Sequence, residues 1–180
     1  MASVFAHAFA AASLAAAVTP GRWIPRLLCV AILCSLLPDA DVLGFAIGIE
    51  YADFLGHRGF SHSLAFAAVT AGIATPLCFR GVQWHGLRVR IAVLLFVVTA
   101  SHGLLDAITN GGLGVAFFSP FDDTRYFLPY RPVAVSPLGL TSFFTARSLP
   151  LLWSEFVWIV LPGSGVAWIV WRVMRRLDRA

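Results

Sequence analysis

The chain contains no lysine, and only 12% of its 180 residues are charged. A soluble domain carries about 25% charged residues. With 59% hydrophobic residues and a mean hydropathy of +0.82, the apolar excess is too large for a water-surrounded core of this length. Lipid must therefore solvate much of the surface. Cysteine is scarce as well. Cys29, Cys34 and Cys78 form no C-x-x-C pair and fall inside apolar runs, which excludes a disulfide framework and reads as buried membrane thiols. No internal repeat is present, and no low-complexity tract beyond an alanine-rich start. No arginine precedes Arg22, so the first apolar stretch lacks the charged leader of a secretory signal and reads as an uncleaved helix.

What is present is a series of apolar segments, each close to the roughly 20 residues a membrane helix needs. The first runs from about Ser3 to Thr19. The second runs from about Leu27 to Leu37, with an irregular continuation through Val42–Ile49. The third runs from about His62 to Phe79, the fourth from Val89 to Ile108 and the fifth from Leu149 to Trp171. The expected architecture is all-α: a multi-pass transmembrane helical bundle of about five helices, one domain over residues 1–180. The segment from Asn110 to Ser148 is too long for a simple connection and too rich in proline for a continuous helix. It reads as a long outer loop, at the interface or as a lid.

The 13 basic residues are all arginine, and the formal charge is +4. They sit in short gaps between apolar runs, which signals topology rather than nucleic-acid binding. Arg22 and Arg26, then Arg80, Arg88 and Arg90, then Arg172, Arg175, Arg176 and Arg179 fall on one side of alternating helices, predicted to be cytoplasmic. The N-terminus then faces out and the C-terminus in. Trp23, Trp84 and Trp171 fit an inner interfacial belt and Trp153 an outer one. Arg58, Arg125, Arg131 and Arg147 break the rule, so they are candidates for binding an anion.

Ionisable residues at membrane depth are costly and point to function. His7, Asp39, Asp41, His57, His62, His102, Asp106 and Glu155 all fall in the outer half of this arginine-drawn topology. His102 and Asp106 are four apart and share a helix face, so an imidazole and a carboxylate can take one metal ion. His57 and His62 can meet through a turn at Gly59, with Ser61 as N-cap of the third helix. Asp39 closes a helix where negative charge is disfavoured, which favours a ligand role over a merely solvated one. Asp41 can bind a metal, bridge two, or orient histidines from behind. His7 is balanced between ligand and interhelical hydrogen bond. Glu155 reads as structural, and His85, Asp122 and Asp123 as solvated loop residues. Histidine with carboxylate suits zinc, with manganese as the oxygen-favouring alternative.

These residues carry a family resemblance. His7, Pro38-Asp39-Ala40-Asp41, His57-Arg58-Gly59-Phe60-Ser61-His62-Ser63 and His102-Gly103-Leu104-Leu105-Asp106-Ala107-Ile108-Thr109-Asn110-Gly111 together resemble the YdjM family. Phe118-Ser119-Pro120-Phe121 and the stretch from Arg125 to Pro132 are also similar to it. The resemblance implies a bacterial inner-membrane, metal-dependent hydrolase. More distantly, the order His, Asp, His, His-x-x-x-Asp is similar to the zinc-dependent phospholipase C and S1/P1-type nuclease group, which implies phosphate-ester cleavage.

The expected chemistry uses one or more divalent ions among His7, Asp39, His57, His62, His102 and Asp106, activating water. Asp41 is the candidate general base or orienting residue. Arg58 is a catalytic candidate, and with Arg125 and Arg131 it can clamp a phosphate. The alternative for these arginines is contact with anionic lipid headgroups. An outer-face location favours a lipid or lipid-linked phosphate ester. A transport or interaction protein with a transported or structural metal is the rival reading. A pathway would place ionisable groups through the full depth, and the inner halves of the helices have almost none.

Overall fold

The computed structural model describes residues 1–19, 24–136, 148–177 and 179. Arg22, Trp23, Pro137 and Arg147 lie outside the described residues. Among the described residues, five main helices form the architecture: α1 (Val4–Val18), α2 (Pro25–Leu36), α3 (Leu64–Cys78), α4 (Arg88–Ala107) and α5 (Leu149–Leu177). The described residues contain no named strand, only two isolated bridges.

Among the described residues, three helical stretches are long and apolar enough to cross a membrane: Pro25–Ile47, Val82–Ala107 and Leu149–Leu177. α1 and α3 have 15 residues each, which gives about 22 Å of helix at 1.5 Å per residue, short of a hydrocarbon core of about 30 Å.

α4 organises the bundle, packing against α1, α2 and α3. Its buried positions are Ile91, Leu94, Leu95, Val98, Thr99, His102, Gly103, Asp106 and the terminal Ala107, the three-and-four spacing of one helix face. The first five residues of that stripe are four apolar side chains and a threonine; the stripe then ends in His102 and Asp106. One face therefore serves both packing and chemistry. Ala11 and Ala15 of α1 join the apolar cluster, where their small side chains allow close helix approach. Gly103 has the same purpose at one point: a Cβ there would lie 2.8 Å from the His62 carbonyl oxygen.

The irregular continuation of the second segment is an 11-residue 3₁₀ helix, Leu37–Ile47, following α2 without a break. Runs of this length are uncommon and often mark functional segments. Pro38 lacks the N–H that would continue the α ladder, so the chain tightens as it delivers Asp39 and Asp41. The third helix starts two residues later than the sequence suggested. Ser63, not Ser61, is its N-cap, accepting from the Phe66 N–H at 3.0 Å. Ser61 instead donates to Asp41.

α5 is interrupted by a π turn over Phe156–Val160. Pro162 cannot donate to the Trp158 carbonyl, and the register slips so that the Leu161 N–H reaches Phe156 instead. Glu155 immediately precedes the slip. Its carboxylate accepts from the Ser3 hydroxyl at 2.6 Å and from the Ser3 N–H, fastening the start of α1 to α5. The structural reading of Glu155 agrees with this.

The long loop is tied down through its described part. Val115 and Tyr126 exchange backbone bonds of 2.9 Å, Ala116 donates to the Arg58 carbonyl, Leu64 donates to Phe117, and Asn110 donates to Val133. The loop thus clamps the turn that carries His57 and His62.

Candidate metal centre

His102 donates from Nδ1 to the Ser35 carbonyl at 2.7 Å. A carbonyl can only accept, so this bond fixes the tautomer and leaves the Nε2 lone pair free. That lone pair faces Asp39 Oδ1 at 3.2 Å and His62 Nε2 at 3.1 Å. His62 turns its Nδ1 toward Asp41 Oδ2 at 3.2 Å, so its Nε2 points the other way, 3.7 Å from both Asp39 Oδ1 and Asp106 Oδ2. His7 stacks on His102 with ring centroids 3.7 Å apart and brings Nε2 to 3.5 Å from Asp106 Oδ1.

Asp39, His62, His102 and Asp106 can each offer a ligand atom within 4.8 Å of the others. Tetrahedral zinc with ligands at about 2.0–2.1 Å requires donor-to-donor edges of roughly 3.3–3.4 Å. The separations of 3.1, 3.2 and 3.7 Å bracket that value. The donor chemistry fits too. Asp106 Oδ2 meets the Arg58 guanidinium, and both nitrogens of His7, both oxygens of Asp39 and His57 Nε2 are buried without a hydrogen-bond partner. Each such group costs about 1–3 kcal/mol when left unmet. Asp39, His62, His102 and Asp106 thus form a group that could hold a metal ion.

His62, which precedes α3, shows the same demand. Burial alone would lower its pKa, but its bonds to Asp39 and Asp41 outweigh that and raise it to about 9. In the metal-free protein the proton on His62 is stabilising. That contribution is complete below the ordinary imidazole value and is lost as pH rises through about 9. A metal ion ligated by His62 would displace this proton, so apparent metal affinity should rise about tenfold per pH unit from near neutrality up to that value. Competition with a chelator across this pH range checks the slope, and a flat profile would mean that His62 does not ligate.

Asp41 is saturated from behind. It accepts from His57 Nδ1 at 2.7 Å and the Ser61 hydroxyl at 2.6 Å, with the Arg58 N–H at 3.3 Å. Asp41, His57 and His62 form a second group of possible ligands that shares His62 with the first. While Asp41 holds both Nδ1 atoms, it orients two imidazoles: His57 Nε2 has no hydrogen-bond partner, and His62 Nε2 faces His102 Nε2.

Arg58 is fully buried and pairs through Nε with Asp106 Oδ2 at 3.0 Å. Its other donors go to the Gly111 carbonyl at 2.8 Å and the Thr109 hydroxyl at 2.9 Å. Its backbone is left-handed, with φ of 66°, a conformation uncommon for a bulky residue. Gly59, beside it, is needed for space: a Cβ there would lie 2.3 Å from the Phe54 carbonyl oxygen. Arg125 spreads its fork over three carbonyls, His57 at 2.8 Å and Tyr51 and Asp53 at 3.1 Å. Arg131 is exposed, with its guanidinium over the Phe127 ring at 4.5 Å.

The structure thus gathers His7, Asp39, Asp41, His57, His62, His102 and Asp106 at one end of the bundle, with Glu155 connected through Ser3. Sequence reasoning missed Tyr51, whose ring meets His57 edge-on at 5.2 Å; burial raises its phenol pKa. It also missed the Ala2 N–H, which donates to Asp106 Oδ1 at 2.7 Å, and the bond that Thr109 accepts from Arg58. No charge or spacing marks these groups. Asp122 and Asp123 bond within their own loop, to Tyr126 and Ser119.

The family model described as YdjM inner membrane protein matches residues 1–178. Inner membrane protein YbcI of Escherichia coli (strain K12) is 40% identical over 149 residues, covering 82% of this chain and 84% of that protein. No solved structure matches. A match over nearly the whole length, together with this degree of identity, places the chain in the YdjM family of inner membrane proteins.

Proposed function

We propose that the protein is a membrane-embedded metal-dependent hydrolase that cleaves a phosphate ester of a lipid or lipid-linked substrate near the outer leaflet. The observation that carries this reading is the convergence of ligand atoms from Asp39, His62, His102 and Asp106 within 4.8 Å of one another. His7 and His57 supply free nitrogens beyond those four. Zinc suits this donor set, with manganese as the alternative. A divalent ion bound there would polarise an ester oxygen and lower the pKa of water toward roughly 7.

The protein's own groups have separable tasks. Asp41 holds His57 and His62 in the ligating orientation, and the same carboxylate is the candidate acceptor of a proton. Arg58 secures Asp106, and Arg125 secures the turn bearing His57. Arg131 is exposed and has a guanidinium able to meet an anionic group. Exposed Phe54, Phe118 and Phe121, the last 90% exposed, supply apolar surface at this end of the chain that suits a lipid substrate.

A second reading has its own support. Four protein ligands fill a tetrahedral ion, as in structural sites, whereas catalytic ones keep a position open. Plasma mass spectrometry on detergent-purified protein, followed by hydrolysis assays on phosphate and carboxyl esters with lipid substrates first, separates the two. The hydrolase reading expects stoichiometric metal and turnover in the parent, both lost in His102→Ala. Metal without turnover on any ester class favours the structural role. No metal after reconstitution with zinc or manganese would sink both.

A further inference from the structure

The end of α5 carries a second built feature, unrelated to the histidine cluster. Trp168, Trp171, Arg172, Arg175 and Arg176 follow three-and-four spacing and so share one helix face, and Arg179 lies just beyond the helix end. Arg172 lies over the Trp168 ring at 5.3 Å and Arg175 over the Trp171 ring at 5.0 Å. Trp171 and the four arginines line a cleft of about 270 Å³. All four arginines are exposed, and none pairs with a carboxylate among the described residues.

We propose that this face binds the phosphodiester headgroup of an anionic membrane phospholipid. Stacking on indole rings holds two guanidinium planes in place, and their outward N–H edges match phosphate oxygens in pairs. α5 has 29 residues, about 43 Å of helix, so one end of it extends beyond a hydrocarbon layer of about 30 Å into the headgroups. Exposed Ile169 borders the basic face, with exposed Val173 and Val166 further round the same side, where an acyl chain can follow the helix. A free phosphate would use the arginines but not this apolar flank.

Two simpler uses of the arginines need only positive charge: setting topology and offsetting the negative end of the helix dipole. Lysine serves either, but it lacks the planar fork. The test therefore compares the full-length parent with the fourfold variant Arg172→Lys/Arg175→Lys/Arg176→Lys/Arg179→Lys. A second variant, Trp168→Leu/Trp171→Leu, keeps every charge and removes the stacking platform. Each is placed in nanodiscs of phosphatidylcholine doped with phosphatidylglycerol, and the lipid retained on release is read by native mass spectrometry. Size-exclusion elution confirms that each variant is folded.

The parent should retain phosphatidylglycerol in preference to phosphatidylcholine, and both variants should retain several-fold less. Equal retention by the parent and the lysine variant would reduce the site to charge alone and overturn the proposal. Complete displacement of the lipid by inorganic phosphate would assign the site to the free anion, and also overturn it.

Discussion

Asp106→Ala is expected to destabilise the metal-free protein by about 3–5 kcal/mol, the cost of leaving a buried charge without its partner. Arg58 is fully buried, and Asp106 supplies its carboxylate at 3.0 Å. The same carboxylate accepts from the Ala2 N–H at 2.7 Å, so the change also leaves a buried donor unmet. An exposed pair would cost only about 0–1 kcal/mol, so the two cases separate clearly. Removing both charges, in Arg58→Met/Asp106→Leu, should recover much of the loss, because a buried pair is often replaceable by packed apolar groups. Denaturation in detergent, with chelator present, measures all three proteins. A loss below about 1 kcal/mol for Asp106→Ala would mean that the pair is solvated.

Asp41→Asn is expected to weaken metal binding by about 10–100-fold, the usual effect of losing a group that orients ligands from behind. An asparagine keeps the shape but offers one acceptor oxygen where the carboxylate offers two. Asp41 Oδ1 serves His57, while Oδ2 serves Ser61 and faces His62 Nδ1. His102→Ala, by contrast, removes a nitrogen facing both Asp39 and His62, and should abolish stoichiometric binding. Chelator competition ranks the two variants. If Asp41→Asn binds as poorly as His102→Ala, Asp41 is itself a ligand, and the group it forms with His57 and His62 holds an ion of its own.

Much of this arrangement was legible in the sequence because it rests on local periodicity. The apolar runs gave the five helices to within a few residues, except that the fifth continues to Leu177. The spacing of His102 and Asp106 placed both on the buried face of α4. Pro38 announced the irregular stretch that carries Asp39 and Asp41.

Groups whose partners lie far away in the chain were not legible. The rule that reads arginines as membrane-side markers treats each as solvated, so it flagged Arg58 and Arg125 as misplaced without revealing their partners. Those partners are Asp106, Gly111 and Thr109 for Arg58, and the carbonyls of Tyr51, Asp53 and His57 for Arg125. Ser61 and Ser63 are both plausible caps by composition. Only the position of Asp41 decides that Ser61 faces the carboxylate and leaves Ser63 to start the helix.

The clasp between Ser3 and Glu155 has a consequence for the order of assembly. The ligand groups run along the chain from His7 to Asp106, so a nascent chain has no complete site until its fourth helix has left the ribosome. Even then, α1 lacks its fastening, because Glu155 arrives with the last helix and closes a connection 152 residues long. Synthesis therefore delivers the candidate ligands first and the lock afterwards.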